Sequence, residues 1–241
     1  MGLTLDQVYQ EESHFAVDNI GPFNHGQGIF DVMCGSGNHA RIMKRLLGDL
    51  VAIHGLDGSE ALYELAKTNL DNSGISFELG QLEHARIVPP FAIKAITCLG
   101  NSFAICPSYP TLINNLIWLY DILVPSGVIF LQSRKPVKPI PHEVLQQLGV
   151  KRLGNRYLDL VVGDSISQSV SLDADHFNID RSYTSADGIE YPFPRTIENN
   201  FFTHFYAAAK VLEDIGFKNA QLVTKPLGRG YYNIWAIRAM K

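Results

Sequence analysis

The chain has 241 residues, 46% hydrophobic and 18% charged, with a net charge of −4. That length suits one domain with an appendage and buries a sizeable core, and the mildly acidic balance argues against a constitutive nucleic-acid binder. No run approaches the ~18 apolar residues of a membrane span, and Cys34, Cys98 and Cys106 cannot all pair and lack metal-ligand spacing. Met1 to Gln7 has neither the basic region nor the apolar core of a signal peptide, and Gly2 is a poor myristoylation site. A reducing cytoplasm is the expected location.

Thr4-Leu5-Asp6-Gln7 reads as a capping box opening a helix that carries Val8, Tyr9 and Phe15. Gly21 to Gly26 then breaks the chain. Gly28 to Val32 is an apolar run holding one acid, Asp31, and is followed by Met33-Cys34-Gly35-Ser36-Gly37. Ala40 to Leu47 continues with helical spacing, so the stretch is a buried strand, a tight turn and a helix N-terminus. Gly35 and Gly37 let the backbone approach a ligand closely, and the free N–H groups opening the helix favour a carboxylate or phosphate. Val51 to Leu56 is a second strand ending at Asp57. Two acids capping adjacent strands around a glycine turn suggest a nucleoside whose ribose hydroxyls need a carboxylate acceptor. The same spacing satisfies the dinucleotide fingerprint, but Asp31 would repel a pyrophosphate and suits a cationic amine or sulfonium.

This stretch, an acid followed by Gly-x-Gly, resembles the first motif of class I S-adenosylmethionine-dependent methyltransferases. Met33 stands where that family usually has glycine. Downstream, Ser59 caps a helix through Ala66, and Ile75 to Leu79 alternates as a third strand ending at Gly80-Gln81-Leu82. The family usually places an aspartate at Gln81 to accept from the adenine amino group, and a glutamine amide oxygen can also accept. Ala92 to Gly100 reads as the fourth strand. Cys98-Leu99-Gly100-Asn101-Ser102-Phe103 resembles the segment of glycine N-methyltransferase and related small-molecule methyltransferases that lies beside the cofactor's methionine part and walls the substrate site. The Asp/Asn-Pro-Pro-aromatic motif of nucleic-acid amino methyltransferases is missing, since Pro89-Pro90-Phe91 precedes the strand.

Tyr109 to Leu123 is an amphipathic helix, and Leu123-Val124-Pro125-Ser126-Gly127 leads into the strand Val128 to Gln132. That pairing resembles the family's helix, "Leu-x-Pro-Gly-Gly" turn and fifth strand, with Ser126 replacing one glycine. Between 133 and 195, Pro136 to Leu148 reads as a short helix, and Arg156–Val162, Ser165–Leu172 and His176–Ser185 alternate as strands, with a turn at Asp187-Gly188. Phe201 to Ile215 is a helix stopped by Gly216, and Ala220–Thr224 and Tyr231–Ala239 form a terminal antiparallel hairpin expected of a methyltransferase sheet.

The expected fold is a doubly wound seven-stranded α/β sheet, Rossmann-like, with its last strand antiparallel and a small antiparallel β lid. Residues 1–27 would be a helical cap, 28–132 and 196–241 the S-adenosylmethionine-binding domain, and 133–195 an inserted substrate lid. The resemblance implies cofactor contacts from Asp31, Met33, Cys34, Gly35, Gly37, Asn38, Asp57, Gly58, Gln81, Leu82, Leu99, Gly100 and Ser102. Tyr9, Asn101, Arg181 and Tyr183 would face the acceptor. The expected partner is a small molecule, with no nucleic acid, no membrane and a homodimer as a possible assembly; no metal is expected. No His–Asp pair stands out in the sequence, which leans towards an amine acceptor needing no strong base. O-methylation, a non-methylating reaction such as cyclisation and, further off, NAD-dependent oxidoreduction are the alternatives.

Overall fold

A computed structural model describes residues 4–100, 102–105, 109–136, 152–153, 156–161, 166–173, 176–184, 190–192, 196–199, 205–227 and 232–241. The chain opens with α1 (Leu5–Ile20), β1 (Gln27–Val32), α2 (Asn38–Leu47), β2 (Ala52–Asp57), α3 (Glu60–Asn69) and β3 (Ser76–Leu79). A short α4 (Leu82–Ala85), β4 (Ala92–Cys98), a 3₁₀ turn (Ser102–Ile105), α5 (Tyr109–Ile122) and β5 (Val128–Pro136) follow. The capping box is present: the Thr4 hydroxyl accepts from Gln7 N–H, and the Gln7 side chain accepts from Thr4 N–H. Ser59 likewise caps α3.

Next come β6 (Arg152–Leu153), β7 (Arg156–Val161), β8 (Ile166–Asp173), β9 (His176–Thr184), β10 (Glu190–Pro192) and β11 (Thr196–Asn199). Then α6 (Phe205–Ile215), β12 (Lys218–Leu227) and β13 (Tyr232–Met240) complete the described elements. The main sheet has the order β12-β13-β5-β4-β1-β2-β3. Strands β1 to β5 are parallel, and β13 runs antiparallel to both β5 and β12. The order reverses between β1 and β4, which opens a crevice at their carboxyl ends.

Period-2 alternation divides the core. Ile29, Ile53, Ala95 and Phe130 pack with Phe15, Ala16, Ile20, Ala40 and Met43 of α1 and α2. Phe30, Val32, Ile96 and Leu131 pack on the other face with Leu112, Leu116, Leu119 and Leu212 of α5 and α6. Burial on both faces explains why these strands read as nearly continuous apolar runs. The exception is Asp31, which faces α1 and α2.

The second sheet has the order β10-β9-β8-β7-β6, with β11 also paired to β9. Thr196–Asn199 was expected with the main sheet but hydrogen-bonds to β9, so the inserted sheet takes in this strand. Strand β5 continues to Pro136 because its last residues pair with Tyr232–Trp235 of β13. Pro136 therefore ends a strand instead of opening a helix. Residues 137–148, Asp187-Gly188 and the first turn expected of the Phe201 helix lie outside the described residues. Strand β11 reaches the 3₁₀ turn after β4, bringing the second sheet to the carboxyl edge of the first. Among the described residues no helix is long and apolar enough to cross a membrane.

Ser126, which replaces a glycine of the resembled turn, sits in the left-handed region at φ 63. A non-glycine residue there costs about 1–2 kcal/mol, against about 0.5–1 kcal/mol of extra chain entropy lost by glycine. The main Lys94 contact, Nζ to Ser126 O at 2.6 Å, does not need the side chain. Ser126→Gly is predicted to raise the unfolding free energy by up to about 1 kcal/mol. Denaturant titration checks this, and a lower midpoint contradicts it.

Candidate functional site

The carboxyl ends of β1, β2 and β3 are drawn together by a few backbone hydrogen bonds. Cys34 N–H donates to Leu56 O at 3.0 Å, and Gly80 N–H donates to Asp57 O at 2.9 Å. The Asp57 carboxylate accepts from Gly35 N–H through Oδ2 at 2.7 Å and from Ser59 N–H through Oδ1 at 2.9 Å. Each oxygen keeps a lone pair for a ligand hydroxyl. Asn69, at the end of α3, donates to Ser36 O at 3.0 Å, and the turn is held from both sides.

Three residues of the turn have positive φ: Met33 (55), Gly35 (58) and Gly37 (78). The glycine usual at the position of Met33 thus has a conformational reason, and Met33 occupies it with strain. The two glycines of the motif differ. A Cβ on Gly35 would meet nothing closer than 3.9 Å, whereas one on Gly37 would meet the Leu70 side chain at 2.7 Å. Gly37 is required by packing against α3, and Gly35 is the position with open space in front of it. Gly37 is also the N-cap of α2 and supplies no side-chain hydrogen bond, leaving the first N–H groups of that helix without a capping side chain. Asn38, the first residue of α2, donates through Nδ2 to Ser36 Oγ at 3.0 Å.

Asp31 is 1% exposed. Its Oδ1 accepts the Thr97 hydroxyl at 2.7 Å, while Oδ2 is buried without a partner. Burial pushes its carboxyl from 3.8 up to about 6; the Thr97 bond and His39 oppose the rise, and Asp57 adds to it. An orphaned buried acceptor is a costly feature of a fold.

Of the remaining expected residues, Gly58 is exposed and Gln81 lies across it, since a Cβ on Gly58 would sit 3.0 Å from Gln81 Cγ. Gln81 precedes α4 and its side chain makes no capping bond. Leu82 and Leu99 are buried in the two cores. Gly100 has φ 70, and Ser102 donates its hydroxyl to Leu99 O at 3.0 Å. Cys34 and Cys98 are buried and free; burial, then the neighbouring Asp31 charge, pushes both thiols well up. Neither is a nucleophile in that state. Asn101 lies outside the described residues. Arg181 and Tyr183 are on β9 opposite Gln168 and Ile166.

Sequence reasoning missed a second polar group on the same face. Glu12 of α1 is fully buried; its Oε1 accepts from Gln132 Nε2 at 2.6 Å, and its Oε2 lies 2.9 Å from His39 Nε2. Tyr9, expected near the acceptor, sets its ring edge-on to His39 with centroids 4.8 Å apart. No His–Asp pair stands out in the sequence, but the structure pairs His39 with Glu12. Residues 12, 39 and 132 share no local pattern; the one available signal was an acid on the apolar face of an amphipathic helix. Among the described residues no group of three His, Cys, Asp or Glu could hold a metal ion.

No protein-family model and no curated protein matches the chain. Solved structures do. The CcbJ methyltransferase from Streptomyces caelestis is 14% identical with a TM-score of 0.69, over 97% of this chain and 90% of that one. CalS10, an amino pentose methyltransferase from Micromonospora echinaspora, is 15% identical with a TM-score of 0.64, over 95% of this chain and 91% of that one. The sugar N-methyltransferase KedS8 from Streptoalloteichus is 15% identical with a TM-score of 0.59, over 98% and 93%. At such identities the likeness shows the fold: a seven-stranded Rossmann-like methyltransferase sheet.

Two predictions follow the geometry of the turn. Folding favours protonated Asp31, so its contribution to stability is greatest below about pH 3.8 and falls as pH rises to about 6. That rise corresponds to roughly 3 kcal/mol. Asp31→Asn should stabilise the ligand-free protein above pH 6 by up to this amount and flatten the loss between these pH values; denaturant titration across the window checks it. Gly35→Ala should keep the fold at a cost of about 1–2 kcal/mol in backbone strain and still weaken nucleoside binding. Gly37→Ala should destabilise the protein more, through Leu70. The order of the two melting temperatures tests the distinction.

Proposed function

We propose that this chain binds S-adenosylmethionine at the carboxyl edge of β1, β2 and β3 and transfers its methyl group to a small-molecule acceptor, an amine nitrogen. The observation carrying the reading is the buried Asp31 carboxylate with one orphaned oxygen, beneath a glycine turn whose helix N-terminus has no capping side chain. A zwitterionic amino-acid tail answers both: its carboxylate suits the free N–H groups of α2, and its cationic centres suit Asp31. A pyrophosphate would meet the same carboxylate with repulsion.

Asp57 would take the ribose hydroxyls with the lone pairs left by Gly35 and Ser59, and the open face of Gly35 would let the ligand approach. Gln81, across Gly58 at the end of β3, would meet the base. Bound S-adenosylmethionine supplies an electrophilic methyl group on a sulfonium. The chain's own task is to orient the acceptor and exclude water. Tyr9 on α1 and the second sheet, with Asn101, Arg181 and Tyr183, would close the acceptor side. Similarity to an amino pentose methyltransferase and a sugar N-methyltransferase supports an amine on a small polar acceptor. A hydroxylated acceptor is the second reading, favoured by the buried His39–Glu12 pair, because a hydroxyl needs a base.

Calorimetric titration with S-adenosylmethionine, S-adenosylhomocysteine and NAD is the first test; preference for NAD contradicts the proposal. Asp57→Ala should weaken S-adenosylhomocysteine binding by about 1–3 kcal/mol, the cost of leaving buried donors unpaired. Methyl-labelled cofactor incubated with 3-amino-3-deoxyglucose, glycine and catechol then reads the acceptor class.

A further inference from the structure

We propose that His39 is the general base of the reaction, held in its working tautomer by Glu12 and packed in place by Tyr9. The inference rests on the methyl-transfer reading and goes beyond it by assigning the proton's destination.

The tautomer follows from the partners of Glu12. Its Oε1 accepts from the Gln132 amide, which donates only through nitrogen, and its Oε2 is 2.9 Å from His39 Nε2. A carboxylate accepts and does not donate, so Nε2 carries the hydrogen. In the neutral ring Nδ1 then holds a free lone pair. No hydrogen bond to Nδ1 exists among the described residues, and it is not one of the buried polar atoms without a partner. The His39 side chain keeps 10% of its exposure while Glu12 keeps none, so the accessible part of the pair is the ring. A base oriented by a buried carboxylate through one ring nitrogen, with the other nitrogen open, is the arrangement proton abstraction requires.

Location supports the role. His39 is the second residue of α2, two residues past Gly37 of the glycine loop, and lies near enough to Asp31 of β1 to interact with it electrostatically. On its other side stands Tyr9, from the helix that covers this face. The ring therefore lies between the cofactor loop and the expected acceptor side. In the step, the acceptor's lone pair forms a bond to the methyl carbon and the methyl–sulfur bond breaks with its electron pair left on sulfur. The acceptor's N–H or O–H proton passes to His39 Nδ1. The resulting imidazolium is stabilised by Glu12, and the proton leaves to solvent as the ring returns to its neutral form.

The test takes whichever of 3-amino-3-deoxyglucose, glycine and catechol the wild type methylates best. His39→Ala should lower kcat about 10²-fold, leave S-adenosylhomocysteine affinity by calorimetry within about threefold of wild type, and regain turnover with added imidazole. Independently of activity, nitrogen-15 spectra at alkaline pH should show His39 protonated at Nε2. Glu12→Gln keeps an acceptor for that hydrogen but removes the charge, and should lower kcat while folding normally. A retained kcat in His39→Ala, a loss of cofactor affinity and melting temperature without imidazole rescue, or an Nδ1–H ring overturns the base. Failure of the wild type on all three acceptors overturns the methyl-transfer reading, and the base with it.

Discussion

One carboxylate accepting from two turns sets the carboxyl edge of this sheet. Asp57 takes the N–H of Gly35 from the loop after β1 and the N–H of Ser59 from the loop after β2. Bonds from backbone N–H to an ionised acceptor are about twice as strong as neutral ones, and these two bind a left-handed loop to a neighbouring strand end. The strain at Met33 and the uncapped start of α2 persist because the loop is over-determined in this way. If Asp57 also holds ribose, its removal acts twice: on the ligand directly, and on the shape of the loop facing it.

The face under α1 and α2 shows what a mostly apolar layer does with polar groups. Asp31 and Thr97 satisfy one another in part, and Glu12 gathers His39 and Gln132. Such groups are expensive to bury and specify geometry when paired. The pairing joins α1, α2 and β5, three separated parts of the chain, on one face of the sheet. Asp31 Oδ2, Gln132 Oε1 and Ser13 Oγ are the atoms this layer leaves without a partner.

Most of the sheet was legible because its elements carry local signals. Thr4 and Gln7, Ser59 and Gly216 announced boundaries that the structure keeps, the terminal hairpin was read as a pair with its first strand too short, and alternation read β7, β8 and β9 of the second sheet. What stayed hidden was non-local. The Glu12–His39–Gln132 contacts join residues that no periodicity relates, and the partner of Asp31 is Thr97, an unremarkable residue in a β-branched strand. The glycine motif was legible as a turn, yet its two glycines looked equivalent. Only packing separates Gly37, pressed on Leu70, from the open Gly35. Strand β11 was assigned to the wrong side of a boundary because four residues hold too little pattern to show which sheet they join.

The sheet order also governs how copies of this chain can meet. One edge is β3, four residues long, with Glu78 exposed on it. The other is β12, which carries Pro226 near its end and bears Lys218 and Lys225, the latter paired at 2.7 Å with Glu11 of α1. Short length, charge and proline are the devices by which strand edges resist adding a further strand. Self-association that extends this seven-stranded sheet from one molecule into the next is therefore disfavoured at both ends.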